Sequence, residues 1–260
     1  MRVYVMTDLE GISGVVDIAY MDMAKDFYRT ARELLTAEVN AAAAACFDAG
    51  ATEVAVRDGH HTGCNFITQQ LDRRIVLDKA PTHWTASLDA TFDATVLIGA
   101  HAMAGTLGGF LDHTMSSTEW FAYSINGRPL GEIGMWATMA GHFKVPLVYV
   151  AGDRAACDEA AALLKGVATT AVKRGAGRNR ATGLHPDAAH EAIRADLAGA
   201  LAAGPKVWPR PLVWRKPLTV RLTFCRSDMA DDRVARSGDL KRVDARTVER
   251  RTSSQLEIVL

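Results

Sequence analysis

Val3-Tyr4-Val5-Met6-Thr7-Asp8-Leu9-Glu10-Gly11 is the stretch on which the fold turns. An apolar run climbs into two carboxylates two residues apart and then a glycine. The run predicts a buried first strand over residues 2–8, and along a strand residues i and i+2 share a side. Asp8 and Glu10 are therefore expected to face one point at the carboxyl end of that strand. Two like charges held so close need compensation, and a bound cation supplies it most directly. Capping of the following segment is the plainer alternative.

Working outward, residues 25–49 read as a helix stopped at Gly50, and Glu53 to Arg57 as a second strand ending in Asp58-Gly59-His60. This β-α-β spacing implies a parallel pair with a right-handed crossover. Arg74 to Leu77 is a further short candidate, and Ala94 to Ala100 is a strand that runs into His101. A glycine-bearing loop, Gly105 to Gly109, then leads to His113. Trp120 to Ile125, Asn126-Gly127 and Pro129-Leu130 predict a hairpin with a type I′ turn. Glu132 heads a helix to about Gly141. Pro146 to Ala151 and Val167 to Val172 read as strands, and 154–165 and 186–203 as helices. The alternation predicts an α/β fold, a mainly parallel sheet flanked by helices. Pro205, Pro209, Pro211 and Pro217 mark 204–217 as a linker. The expected organisation is a metal-binding catalytic domain over 1–204 and a smaller C-terminal α+β lobe over 205–260, opening with the strand Leu218 to Phe224.

Composition removes several function classes. Lys+Arg and Asp+Glu both number 30, so the net charge is +0, and the electrostatic footprint of a nucleic-acid binder is missing. The tail arginines alternate with acids and read as a solvated surface. Cys46, Cys64, Cys157 and Cys225 form no C-x-x-C, which argues against a zinc knuckle or a disulfide framework. With no apolar run of membrane-span length and no leader ahead of the first strand, a cytoplasmic protein without a membrane partner is expected. The chain has no G-x-S-x-G, no P-loop, no G-x-G-x-x-G after the first strand and no H-E-x-x-H.

What remains is a set of acids and imidazoles just after strands or at a helix start: Asp8, Glu10, His60, His101 and Glu132. Ligands collect at such ends in open α/β sheets. Five ligands, one of them bridging, suit two metals about 3.5–4 Å apart. The mixed oxygen and nitrogen set favours zinc, with manganese or cobalt as alternatives. Asp8, on the first strand, is the natural bridge. Taken singly, each residue has a plainer role, as a cap, a core histidine or a solvated loop histidine. His113 is the spare imidazole for proton transfer, or a surface loop residue. Asp58 is expected to orient His60, and Asp153 to cap a helix. His83, His142, His185 and His190 have no carboxylate partner in view and read as structural or surface residues.

The chain resembles the D-aminopeptidase family of zinc peptidases. The resemblance rests on Asp8-Leu9-Glu10-Gly11-Ile12-Ser13-Gly14, Asp58-Gly59-His60, Gly99-Ala100-His101-Ala102, His113-Thr114-Met115, the block from Ile125 to Gly134 and Val150-Ala151-Gly152-Asp153. It spans most of residues 1–175 and departs at Gly59, where the family pattern carries a serine. It implies two Zn2+ per subunit, with Asp8 bridging, Glu10 and His101 completing one site, and His60 and Glu132 completing the other. It implies His113 as the catalytic residue. The implied reaction cleaves the amide or peptide bond after an N-terminal, typically D-, amino acid by metal-activated water. The implied substrate is a small peptide or amino-acid amide, and the implied assembly a homo-oligomer, a decamer of two stacked pentamer rings. A two-metal hydrolase of a non-peptide amide or lactam is the alternative within enzymes. A metal-binding regulatory subunit with an inactive site is the alternative outside them.

Overall fold

The computed structural model describes residues 1–79, 85 and 87–260; His83 lies outside the described residues. Among the described residues, twelve strands and five α-helices follow in chain order: β1 Arg2–Thr7, α1 Asp26–Asp48, β2 Glu53–Asp58, β3 Val76–Leu77, β4 Ala94–Ala100, β5 Trp120–Ile125, β6 Arg128–Pro129, α2 Glu132–His142, β7 Leu147–Asp153, α3 Arg154–Leu163, β8 Ala168–Gly177, β9 Arg180–Gly183, α4 Pro186–Ala203, β10 Leu218–Phe224, α5 Ser227–Arg236, β11 Lys241–Arg242 and β12 Thr247–Thr252.

The main sheet has the order β3-β2-β1-β4-β7-β8-β9. All its pairs are parallel except the terminal hairpin β8-β9. Counted among the six parallel strands alone, this is the doubly wound order 3-2-1-4-5-6. Its connections leave in opposite directions from β1 and β4, and that switch point opens a crevice at the carboxyl ends of the two strands.

Strand parity builds the two cores. From β1, Val3 and Val5 pack with Leu35, Val39 and Cys46 of α1 and Ile193 and Leu197 of α4. Tyr4 and Met6 point the other way, into a core with Ile133, Trp136 and Met139 of α2. β4 is buried at all seven positions, as expected of a central parallel strand covered on both faces. Helix α2 is buried from Ile133 through Gly141, because a second layer covers its far side. That layer is an antiparallel sheet in the order β11-β12-β10-β5-β6.

The second sheet draws on both sides of residue 204, since β10 pairs with β5, Val220 opposite Ile125. The proline-bearing segment between α4 and β10 is docked on α2. The Trp214 indole donates to Thr138 Oγ1 at 2.8 Å, and its backbone N–H donates to Gln255 Oε1 at 2.8 Å. The predicted type I′ hairpin is present, with positive φ at both Asn126 (50°) and Gly127 (79°).

One contact sets the crevice. β1 ends at Thr7, one residue earlier than the sequence suggests, and Asp8 and Glu10 lie in the turn that follows. That turn crosses the end of β4: Asp8 N–H donates to Ile98 O and Gly11 N–H to Gly99 O, both at 2.8 Å. A Cβ on Gly11 would lie 2.1 Å from the Ala100 carbonyl oxygen, well inside contact distance. Gly11→Ala is expected to destabilise the fold by about 3 kcal/mol, read as a lowered urea midpoint; a midpoint equal to that of the parent chain would contradict this crossing.

Candidate metal centre

The strand order places the side chains. β1 lies between β2 and β4, so Asp8 sits between His60, which leaves β2, and His101, which leaves β4. The two Asp8 oxygens divide accordingly: Oδ1 is 3.2 Å from His60 Nδ1, and Oδ2 is 3.2 Å from His101 Nε2. Glu10 Oε2 is 3.1 Å from His60 Nδ1. Glu132, in the first turn of α2, brings Oε1 to 3.4 Å from His101 Nε2 and 3.7 Å from His113 Nε2. The His101 and His113 rings stack 4.0 Å apart, inclined by 10°.

The six residues thus form two abutting groups, Asp8, Glu10 and His60, and His101, His113 and Glu132. All six sequence candidates converge on the crevice. The resemblance groups Glu10 with His101 and Glu132 with His60; in direct contact, the carboxylate of Glu10 lies against His60 and that of Glu132 against His101. The turn after β1 carries Glu10 toward the β2 side, while α2 begins on the β4 side.

Two backbone carbonyls fix the imidazole tautomers. His101 Nδ1 is 3.0 Å from Ala102 O and His113 Nδ1 is 2.8 Å from Leu111 O. A carbonyl only accepts, so each Nδ1 carries the ring proton and each Nε2 is left as a bare lone pair in the neutral ring. His101 Nε2 is buried without a hydrogen-bond partner although two carboxylate oxygens stand within 3.4 Å. Lone pairs facing lone pairs need a positive charge between them. Three carboxylates and three imidazoles with that defect fit a borderline cation such as zinc.

The electrostatics agree. Burial alone would lower the basicity of His60, yet Glu10 and Asp8 hold it up at about 11. His101 is likewise held well above its usual range, against burial, by Glu132 and Asp8. Burial opposes ionisation of Glu10 and Glu132, but the imidazoles pull both below the ordinary carboxylate range. The site has a strong demand for positive charge.

Surrounding groups hold the pieces. Asp58 accepts from the His60 backbone N–H at 3.1 Å and from Asn65, so it fixes the His60 main chain and not its ring. Asp153 caps α3 through Ala156 N–H at 2.8 Å and also accepts from Phe110 N–H at 2.8 Å, tying down the loop that carries His113. Sequence reasoning missed three supports. Lys173, 4% exposed on β8, donates to the carbonyls of Glu10, Ile12 (2.8 Å) and Val15 (2.5 Å). Burial depresses it to about 7, with Glu38 and Asp153 opposing. Glu38 on α1 accepts from Ser13 N–H at 2.9 Å. Glu159 on α3 accepts from Met103 N–H at 2.7 Å, and burial pushes its carboxyl up to about 7.

An α/β fold of doubly wound order, with acids and imidazoles gathered at its switch point, defines a protein built around a metal centre. Comparison with known proteins makes this specific. The D-aminopeptidase family, peptidase family M55, matches over residues 1–260. A D-aminopeptidase of Bacillus subtilis (strain 168) is 37% identical over 212 residues, 80% of this chain and 77% of the relative. The solved structure of the Zn-dependent D-aminopeptidase DppA from Bacillus subtilis, described as a self-compartmentalizing protease, superposes with a TM-score of 0.94 at 30% identity, covering 99% of this chain and 94% of that one. The chain belongs to the D-aminopeptidase family.

Lys173→Met would strand three buried carbonyls of the turn that bears Glu10. It is expected to lower stability by about 3 kcal/mol in urea unfolding; an unchanged midpoint would mean that the turn is held by other contacts.

Proposed function

We propose that the chain is a two-zinc aminopeptidase that cleaves the bond after an N-terminal D-amino acid of a short peptide or amino-acid amide. The observation that carries this reading is Asp8, whose two oxygens each face a different imidazole, so that the one carboxylate could serve an ion on either side. Asp8, Glu10 and His60 would hold one ion, and Asp8, His101 and Glu132 the other. A bound zinc pair supplies Lewis acidity toward the scissile carbonyl and lowers the pKa of water toward ~7.

The chain's own residues handle orientation and protons. Hydrogen bonds from the rings to Ala102 O and Leu111 O keep both Nε2 atoms turned inward. His113 is the proton carrier: its Nε2 takes a proton from the attacking water and returns it to the leaving amine. Stacking on His101 limits its ring to one plane. The description of the solved relative as self-compartmentalizing supports assembly of this chain into a ring.

The test is hydrolysis of D- and L-alanine p-nitroanilide by zinc-loaded protein, with sedimentation of the same preparation. Turnover of the D-compound, loss on chelation and a mass many times 28.1 kDa are expected. His113→Ala should keep its zinc and lose roughly 100- to 10,000-fold in kcat. No turnover of either substrate with zinc bound would overturn the reading, and an unimpaired His113→Ala would overturn the assignment of the proton carrier.

A further inference from the structure

A cavity of about 250 Å³ opens beside the metal centre. Asp8, His101 and Glu132 form one wall, and Arg57, Trp136 and Lys79 are among the residues of the rest. Arg57 and Lys79 give this second side a positive charge. Nε and Nη1 of Arg57 and Nε1 of Trp136 are buried with no hydrogen-bond partner among the described residues. Trp136 is 1% exposed. An indole N–H and a guanidinium can only donate. Buried donors without acceptors are rare in folded chains, and here they belong to two residues that line the same cavity.

The neighbouring acids do not fill that role. Asp58 is taken up by Asn65 and the His60 backbone. Asp78 accepts from Tyr4 Oη at 2.6 Å and from Ser87 N–H and Oγ at 2.9 and 2.6 Å. Its charge is felt by Arg57, which draws its pKa down alongside those hydrogen bonds and against burial, but no hydrogen bond joins the two. The guanidinium also lies against the Tyr4 hydroxyl, and among the described residues Nε and Nη1 have no acceptor. Lys79 spends its protons on Thr62 O at 3.0 Å and Cys64 Sγ at 2.6 Å and adds positive charge.

We infer that this cavity receives the residue on the leaving side of the scissile bond, and that Arg57, with the Trp136 indole, binds that residue's α-carboxylate. The inference rests on the hydrolytic reading of the metal centre. With the scissile carbonyl at Asp8, His101 and Glu132, the chain beyond it enters the cavity. A residue spans at most ~3.6 Å, so in a dipeptide the terminal carboxylate follows the cleaved amide directly. Guanidinium and carboxylate match as a two-pronged pair. The preferred substrate class is then the dipeptide with a free C-terminus. A carboxylate on the side chain of the leaving residue offers the same chemistry from a different place.

Three phosphinic, non-hydrolysable dipeptide analogues separate the cases by calorimetry on the zinc-loaded protein, without turnover. One mimics D-alanyl-D-alanine with its free carboxylate, the second is its C-terminal carboxamide, and the third is the D-alanyl-D-glutamate carboxamide, acidic only on its side chain. The free carboxylate should bind roughly 30-fold tighter than either carboxamide. That ratio should collapse toward one in Arg57→Met and be partly restored in Arg57→Lys. Trp136→Phe, which removes only the N–H, should reduce it several-fold. Equal affinities in the parent chain, or a ratio that survives Arg57→Met, would overturn the inference. So would an equal loss for all three analogues, which would mark Arg57 as structural. Tight, Arg57-dependent binding of the third analogue alone would move the recognised carboxylate to the side chain and overturn the terminal assignment. Failure of the peptidase reading shows separately, as absent turnover of D-alanyl-D-alanine with this binding pattern intact.

Discussion

The crossing of two backbones at the switch point is the constraint from which the rest follows. The turn after β1 passes directly over the end of β4, with Gly11 against the carbonyls of Gly99 and Ala100. Gly99 itself sits at φ +76°, where a side chain would meet Asp8 O at 2.1 Å. Only paired glycines permit so close an approach. The approach presses Asp8 against His101, and the order β2-β1-β4 puts His60 on the other side. The metal centre is thus a product of sheet topology and of two missing Cβ atoms.

Holding that geometry requires buried polar groups that have nothing to do with ligation. Lys173 and Glu38 pin the turn after β1 from the sheet and from α1. Asp153 and Glu159 pin the loop after β4 from the two ends of one short stretch around the start of α3. Backbone carbonyls set both inward-facing imidazole nitrogens. What these supports leave uncompensated is a concentration of lone pairs in the crevice, which a cation relieves.

Much of this was legible beforehand, for a definite reason. The strands Ala94–Ala100 and Leu218–Phe224 and the helix Pro186–Ala203 carry local signals of apolar runs, alternation and caps, and all three have the expected limits. Asp8, Glu10, His60 and His101 follow strand ends, where an α/β sheet gathers ligands, while Glu132 heads a helix and His113 lies in the loop after β4. Strand parity, however, is not what joins Asp8 to Glu10, since both lie beyond Thr7 in a turn shaped by Gly11. The partner of Glu10 depends on which strand lies on which side of β1, a long-range property. The pairing of β5 with β10, nearly a hundred residues apart, left no mark in either segment. Lys173, Glu38, Glu159 and Arg57 were silent because a buried charge and a solvated one look alike in a sequence.

The central claim is that Asp8 serves both halves of one centre while Glu10 and Glu132 each serve one half. Zinc counted per chain by elemental analysis, in the parent protein and in Asp8→Asn, Glu10→Gln and Glu132→Gln after equal dialysis, tests it most directly. The account predicts two ions in the parent, one after loss of either glutamate, and essentially none after loss of Asp8. Two ions retained by Asp8→Asn, or a single ion in the parent that every substitution removes, would contradict it.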